Sequence, residues 1–447
     1  MLMERAIHAD LLEWKNSSNR KPLLLEGVRQ CGKTYVLKEF GERNYEDTAY
    51  FTFENNPDFC DIFRTDLDPK RIINRLNLLR KRNIEPGKTL IILDEIQFCN
   101  RALTSLKFFC EDAPEYHITC AGSLLGVMLS KPYSFPVGKV NRLSMGPMNF
   151  KEFLLANSEN TLVEHIDNSD PTEALPKPVV NKLNTYLDYY FMVGGMPAAV
   201  ASWIAKADIR EVEKILDDII KDYRADFSKH APESLPKLTL IWNSLPDQLA
   251  KDNKKFIFSH VKTGARAKDL EDALEWLINA GLVYKVRKAD PPKVPLSTFA
   301  DNTNFKIYLA DIGILRRMAK VPSAFLFDTN GGYSLFRGAV AENYVLNELI
   351  SSTWDVPYYW RSGGTAEVDF IAQIEGVAVP IEVKAGSSKS KSLAEFIKRY
   401  RPKVAVTISA ESGGNGGAVH IPLYAAWKIA DYVRERAGGG EPPLSLK

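Results

Sequence analysis

The stretch Leu23-Leu24-Leu25-Glu26-Gly27-Val28-Arg29-Gln30-Cys31-Gly32-Lys33-Thr34 decides how the rest of the chain is read. A short apolar run suited to a buried strand enters a loop bounded by Gly27 and Gly32, and Tyr35 to Phe40 then takes up a helical pattern. Glycines at that spacing let backbone N–H groups turn inward around phosphate oxygens, while the start of the following helix adds its positive end. Gly27, Val28, Arg29, Gln30, Cys31, Gly32, Lys33 and Thr34 are therefore expected to cradle a nucleotide. Lys33 would reach the β and γ phosphates, and Thr34 would offer a hydroxyl to Mg²⁺, a hard cation that prefers oxygen ligands.

The second half of this constellation is Leu90-Ile91-Ile92-Leu93-Asp94-Glu95, a buried strand that delivers two carboxylates at its C-terminal end, the edge where ligands sit in wound sheets. Asp94 is expected to hold Mg²⁺, and Glu95 to polarise the attacking water, a task the metal-binding carboxylate cannot also perform. Taken alone, the pair also reads as two solvated acids capping a strand. Ser123, after Gly122, could position the same water or simply occupy a turn. Lys139 and Arg142 could lend charge to the γ-phosphate, with a solvated surface position as the competing reading.

Working outward, 447 residues suggest roughly three domains of about 150 residues each. The 45% hydrophobic and 26% charged content, with 27 Gly and 25 Pro, is ordinary globular usage and excludes disordered, collagen-like and coiled-coil classes. A net charge of +2 advertises no general nucleic-acid glove, so any such contact needs a local patch. The five cysteines lie within the first 120 residues, are odd in number and form no CxxC pair, which points to reduced thiols, a cytoplasmic chain and no zinc site. The charged N-terminus lacks the features of a secretory signal. The most apolar stretch, Tyr189 to Ala205, is interrupted by Gly194, Gly195 and Pro197, so no membrane span is expected.

Strands alternating with helices over the first 150 or so residues argue for a wound α/β sheet with parallel strands. Helical patterns then dominate to about Leu249, and Val261 to Tyr284 reads as helix, glycine stop and strand, compatible with a winged-helix unit. Asp290 to Asn304, with three prolines, reads as a loop, and a second α/β pattern begins near Gly338. The expected division is a P-loop α/β core at 1–155, a helical lid at 156–229, a winged-helix segment at 230–325, a second α/β domain at 326–435 and a tail at 436–447.

In that last domain Asp369 sits on one strand, and Glu382-Val383-Lys384 ends the next. Strand side chains alternate faces, so Glu382 and Lys384 project together, and a hairpin would bring Asp369 beside them. Two carboxylates can then bind Mg²⁺ while the lysine orients a water for attack on a phosphodiester. Glu342, on the preceding helix, is a further expected ligand. The competing readings are a surface ion-pair cluster for the strand residues and a solvent-facing glutamate for the helix. Trp354, Tyr358, Tyr359, Trp360 and Arg361 could stack bases or form a small core, and the run Lys389, Lys391, Lys398, Arg399, Arg401, Lys403 is the better place for phosphate contact.

These residues together resemble a known group, prokaryotic AAA-type ATPases of about 400 to 450 residues that carry a C-terminal domain of unknown function. The resemblance rests on Gly27 to Thr34, on Ile91 to Gln97, on Cys120 to Gly126, and on Ser134 to Lys139 with Pro147 to Phe150. It continues through Val193-Gly194-Gly195-Met196-Pro197, Tyr223 with Asp226-Phe227, Trp276-Leu277 and Tyr308-Leu309-Ala310-Asp311-Ile312-Gly313. Glu342, Glu367-Val368-Asp369-Phe370 and Ile381 to Gly386 look like a PD-(D/E)xK nuclease core. The resemblance implies an Mg²⁺-dependent ATPase whose nucleotide state controls a DNA-binding, nuclease-like domain, or a switch module in which that domain is catalytically silent. It admits a homo-oligomer, although Lys139 stands where many of the wider clan have arginine.

Overall fold

The strands of the first 150 residues are parallel: β1 (Leu23–Glu26), β2 (Asp47–Thr52), β3 (Thr89–Asp94), β4 (His117–Ala121) and the polar edge strand β5 (Asn141–Ser144), in the order β2-β3-β4-β1-β5. β3 is buried along its whole length, as its uninterrupted aliphatic sequence requires when both faces of a parallel sheet are covered. Helices α1 (Ile7–Asn16), α2 (Lys33–Asn44), α3 (Pro69–Leu78) and α4 (Asn100–Asp112) accompany the sheet, with a core that includes Leu24, Phe51, Ile72, Leu93 and Leu106. α3 starts where Asp68 caps it, accepting the Lys70 N–H, and Pro69 takes the first helical position.

The computed structural model describes residues 3–122, 136–251, 254–323, 334–384, 391–410 and 417–437. Its contacts divide the chain into two units, Glu4–Pro147 with Asn279–Leu282, and Met1–Met3 with Met148–Ile278 and Val283–Lys447. The second unit opens with helices α5 (Phe150–Ala156), α6 (Asn160–Asn168), α7 (Lys177–Val193), α8 (Pro197–Lys206), α9 (Ile209–His230) and α10 (Leu235–Leu249). Asn149 and Glu152 form a reciprocal capping box at the start of α5.

After α11 (Phe258–Val261) and α12 (Ala267–Asn279), the chain enters β6 (Val283–Ala289) and β7 (Ala300–Leu309), then α13 (Ile312–Met318) and α14 (Ser334–Thr353). The remaining elements are β8 (Tyr358–Arg361), β9 (Glu367–Ile374), β10 (Val377–Lys384), α15 (Lys391–Tyr400), β11 (Val406–Ser409), β12 (Val419–Pro422) and α16 (Ile429–Ala437). The seven strands run in the order β12-β11-β10-β9-β8-β6-β7. β6 and β7, expected in a segment of their own, thus extend the C-terminal sheet. Residues 300–304, expected as loop, belong to β7, where Asp301 pairs with Lys288 across a bulge.

Two glycine motifs quoted above meet in this unit. Gly194 has φ +76, and a Cβ there would lie 2.5 Å from Asp311 Oδ1 and 2.8 Å from the Gly313 backbone. Asp311 accepts the Gly195 N–H at 2.6 Å and caps α13 by accepting the Ile314 N–H at 2.8 Å. The motifs are a close-packed junction, which only glycine permits at position 194.

Candidate functional site

β1 ends at Glu26, and the chain turns through Gly27 at φ +146, where a Cβ would fall well inside 3.0 Å of the Met145 carbonyl oxygen. Gln30 (φ 67) and Gly32 (φ 97) complete the turn into α2. The Lys33 side chain lies folded across the loop, its Nζ donating to the Gly27 and Val28 carbonyls at 2.8 and 2.9 Å. Thr34 Oγ1 donates to the Asp94 carboxylate at 3.0–3.1 Å, and Tyr50 Oη donates to Asp94 Oδ2 at 2.8 Å. Burial raises the Asp94 pKa, with the Tyr50 and Thr34 hydrogen bonds pulling the other way.

Glu95 leaves β3 in the left-handed region, φ 52, which turns its side chain away from the strand path. Its N–H donates to Asp94 Oδ1, and its carboxylate accepts from Gln97 Nε2. The two acids are thereby given different surroundings, one between hydroxyls and one held by an amide. Thr34 and Asp94 form a hard-oxygen pair at a loop whose glycines admit close backbone approach, so the residues present fit a nucleotide with Mg²⁺. Ser123 lies outside the described residues. Lys139 pairs with Glu111 at 2.8 Å and Arg142 with Glu26 at 3.1 Å, so each cation already faces a carboxylate.

Sequence reasoning missed four contributors. Tyr50 and Gln97 hold the two acids; their signal was proximity, since Thr52 on β2 is in register with Asp94 and Gln97 follows Glu95 by two residues. Buried Arg5 donates to the carbonyls of Cys31 and Gly146 at 2.9 and 2.8 Å, tying the loop from outside the motif. Gly281, at φ +71 in the Asn279–Leu282 turn of the same unit, would place a Cβ 3.4 Å from Val28 N.

In the second unit the β9–β10 hairpin forms over a turn at Glu375 and Gly376, both with positive φ, as a two-residue hairpin turn favours. It brings Asp369 beside Glu382 and Lys384: Asp369 Oδ2 accepts the Val383 N–H at 2.8 Å, and Lys384 Nζ lies 2.7 Å from Glu382 Oε1. Glu342, 2% exposed on α14, is buried and not a solvent-facing helical residue. Its carboxylate pairs with Lys254, with Lys306 at 3.2 Å and with the Tyr308 hydroxyl. Burial alone would push this acid up, but the two lysines hold it down at about 2. Loss of hydration, then the Glu342 and Glu382 charges, push Asp369 well above the usual range.

No group of three His, Cys, Asp or Glu among the described residues is arranged to hold a metal. The expected set of Glu342, Asp369 and Glu382 therefore does not fit a metal as arranged, because lysines meet the charge that a metal would meet. Trp360, fully buried, packs edge-on against Phe396 and Tyr400 and belongs to the core. Lys391, Lys398, Arg399, Arg401 and Lys403 are exposed, while Lys389 lies outside the described residues.

Residues 19–154 match the family described as AAA domain, residues 184–324 match a domain of unknown function (DUF8612), and residues 337–424 match another (DUF4143). No curated protein matches the chain. Among solved structures, the Walker-type ATPase PABY2304 of Pyrococcus abyssi is 14% identical with a TM-score of 0.43, over 71% of this chain and 96% of that one. The Aeropyrum pernix ORC1 protein in complex with DNA is 13% identical with a TM-score of 0.29, over 73% and 95%. AMPPCP-bound DnaA from Aquifex aeolicus is 16% identical with a TM-score of 0.27, over 61% and 86%. Likeness at this level is too slight to transfer partners. Among the described residues no helix is long and apolar enough to cross a membrane. The family match and the parallel sheet agree, and the N-terminal part of the chain carries an AAA-type P-loop ATPase domain.

Proposed function

We propose that the chain is an Mg²⁺-dependent ATPase whose nucleotide state governs a C-terminal, nuclease-like domain that binds DNA. The observation that carries the first half is the placing of Asp94 between Thr34 and Tyr50, with Glu95 turned aside on Gln97. Thr34 and Asp94 would hold Mg²⁺, which when bound neutralises charge on the β and γ phosphates. Lys33 would exchange the Gly27 and Val28 carbonyls for phosphate oxygens, and Glu95 would accept the proton of the attacking water, oriented by Gln97. Ser123 is proposed to position that water.

Support for DNA comes from the exposed basic run on and after α15, where phosphate contacts would be salt-sensitive. The Asn279–Leu282 turn, whose Gly281 approaches Val28, is continuous in sequence with α12 and β6. Residues 326–435 are proposed as the nuclease-like domain, and the chain as cytoplasmic with room for self-association. A second reading, a catalytically silent domain worked by the ATPase, draws on the lysines at Glu342.

Phosphate release measured with and without DNA tests the proposal. Glu95→Gln should retain ATP binding but lower turnover on the order of 100-fold, as loss of a general base does. Unchanged turnover would remove Glu95 from the mechanism. Cleavage of labelled DNA by wild type and by Asp369→Ala then separates the nuclease-like reading from the silent one.

A further inference from the structure

Two cysteines meet in the N-terminal unit. Cys60 lies partly exposed in the short 3₁₀ helix Pro57–Phe63, and Cys99, 4% exposed, lies between the 3₁₀ turn Ile96–Phe98 and α4. The two thiols are hydrogen-bonding partners, and Cys60 Sγ also donates to the Phe98 carbonyl at 3.7 Å. Cys99 belongs to the core cluster with Phe59, Phe63 and Ile96, and Cys60 packs against that cluster.

The two sides of this contact are held differently. On the Cys60 side, the Ile62 carbonyl accepts from Arg75 of α3 at 2.7 Å, the Phe63 carbonyl accepts from Arg101 of α4 at 2.6 Å, and Phe59 and Phe63 are buried. The Cys99 side is a single turn. The Cys99 N–H donates to the Ile96 carbonyl at 2.9 Å and the Phe98 N–H to the Glu95 carbonyl at 3.1 Å. Within that turn Gln97 Nε2 holds the Glu95 carboxylate. A pull on Cys99 is therefore delivered to the residue that orients Glu95.

We propose that Cys60 and Cys99 form a dithiol modification site, which a low-molecular-weight disulfide converts to an intramolecular disulfide that shifts the Gln97 turn and slows ATP turnover. The bond follows from the thiol contact, whereas its effect on turnover rests on the role given to Glu95 above. The exchange balances in two steps. The Cys60 sulfur loses its proton and attacks one sulfur of the small disulfide, forming a mixed disulfide and releasing one small thiol. The Cys99 sulfur then loses its proton, attacks the Cys60 sulfur and releases the second small thiol. Two protein thiols are oxidised by two electrons in all, and one small disulfide is reduced to two thiols. Burial, and then the hydrogen bond with Cys60, push the Cys99 thiol up to about 12, which leaves the first attack to the more exposed Cys60. A disulfide draws its sulfurs to about 2.0 Å, well inside hydrogen-bond contact. A shift of about 1 Å at a catalytic group can cost on the order of 100-fold in rate.

The full chain, reduced and then freed of reductant, is incubated with glutathione disulfide, and its remaining thiols are alkylated. Peptides are mapped without reduction, and phosphate release is measured on the same samples. Wild type should yield a Cys60–Cys99 linked peptide and lose turnover by on the order of ten-fold, and dithiothreitol should reverse both. Cys60→Ser should form no such link and keep its turnover under the same treatment, and Cys99→Ala should stop at the mixed disulfide on Cys60. Because Cys60 is partly exposed, Cys60→Ser serves alone if Cys99→Ala does not melt cooperatively. Wild type that keeps both thiols, or that stops at the mixed disulfide, overturns the proposal, and so does a linked chain that turns over ATP as fast as the reduced one. A reduced chain without turnover overturns the role of Glu95 instead, while the peptide map still decides the bond.

Discussion

Replacing Gly27 by alanine is the sharpest test of how the phosphate loop is built. The added Cβ would fall well inside 3.0 Å of the Met145 carbonyl oxygen, a separation that real Cβ atoms essentially never show. Met145 cannot yield easily. Its N–H donates to the Glu26 carbonyl at 2.9 Å, Cys31 Sγ donates to its carbonyl at 3.3 Å, β5 is paired in register with β1, and the residue is 3% exposed. Separating the strands enough to admit a methyl group forfeits one or two buried hydrogen bonds at about 1–3 kcal/mol each, and a non-glycine residue at φ +146 adds roughly 1–3 kcal/mol of strain. The sum, about 2–9 kcal/mol, is a large part of a typical domain's stability and falls on the loop itself. Gly281→Ala is the matched control, because its Cβ would meet Val28 N at 3.4 Å, an ordinary contact, leaving chiefly the cost of φ +71, about 1–2 kcal/mol. Titration with a fluorescent ATP analogue and thermal melting should show Gly27→Ala weakened on the order of 100-fold in binding and clearly less stable, with Gly281→Ala close to wild type. Binding by Gly27→Ala within about three-fold of wild type, less than 1 kcal/mol, would refute the steric account.

Two further substitutions probe the second unit. Glu348 is wholly buried, and burial pushes its carboxyl up to about 8. Because that folded value lies above the ordinary one, stability is full below about pH 4.5 and is lost as pH rises through 8. Glu348→Gln keeps an acceptor for the Phe150 N–H at 2.8 Å. It should match wild type near pH 4 and exceed it by several kcal/mol at pH 8 in urea denaturation, and identical pH profiles would count against this. Asp311→Asn can no longer accept both the Gly195 and Ile314 N–H groups. It should lower stability by about 1–3 kcal/mol, and an unchanged melting temperature would show that the junction tolerates a lost acceptor.

The strand, loop and helix around Gly27 to Thr34 were legible because each carries a local signal: an aliphatic run, glycines at fixed spacing and a helical period. The β9–β10 hairpin was legible from alternation, which set Glu382 and Lys384 on one face. The joining of β6 and β7 to the C-terminal sheet was not, because the β6–β8 pairing, Lys288 opposite Tyr359, links strands some seventy residues apart and leaves no local trace. Lys306 did leave one. A lysine inside the apolar run Phe305 to Leu309, two residues from Tyr308 and so on the same face, needs a buried acid, and Glu342 supplies it. Arg5 left none, because its partners are backbone carbonyls far along the chain.

The two acidic sites differ less in their carboxylates than in the company those carboxylates keep. Asp94 is met by the Thr34 and Tyr50 hydroxyls and the Glu95 N–H, all of them neutral, so hydrogen bonds are made but the negative charge is left for a cation. Burial then raises the Asp94 pKa, a penalty that a bound Mg²⁺ would relieve. Glu342 is met by two ammonium groups and a phenol, and the pull of those charges outweighs a burial penalty of the same kind. A neutral donor shell makes a carboxylate a ligand in waiting, whereas a cationic shell makes it a finished ion pair. On that ground the Asp94 charge is left open to a cation, whereas the Glu342 charge is already matched within the fold.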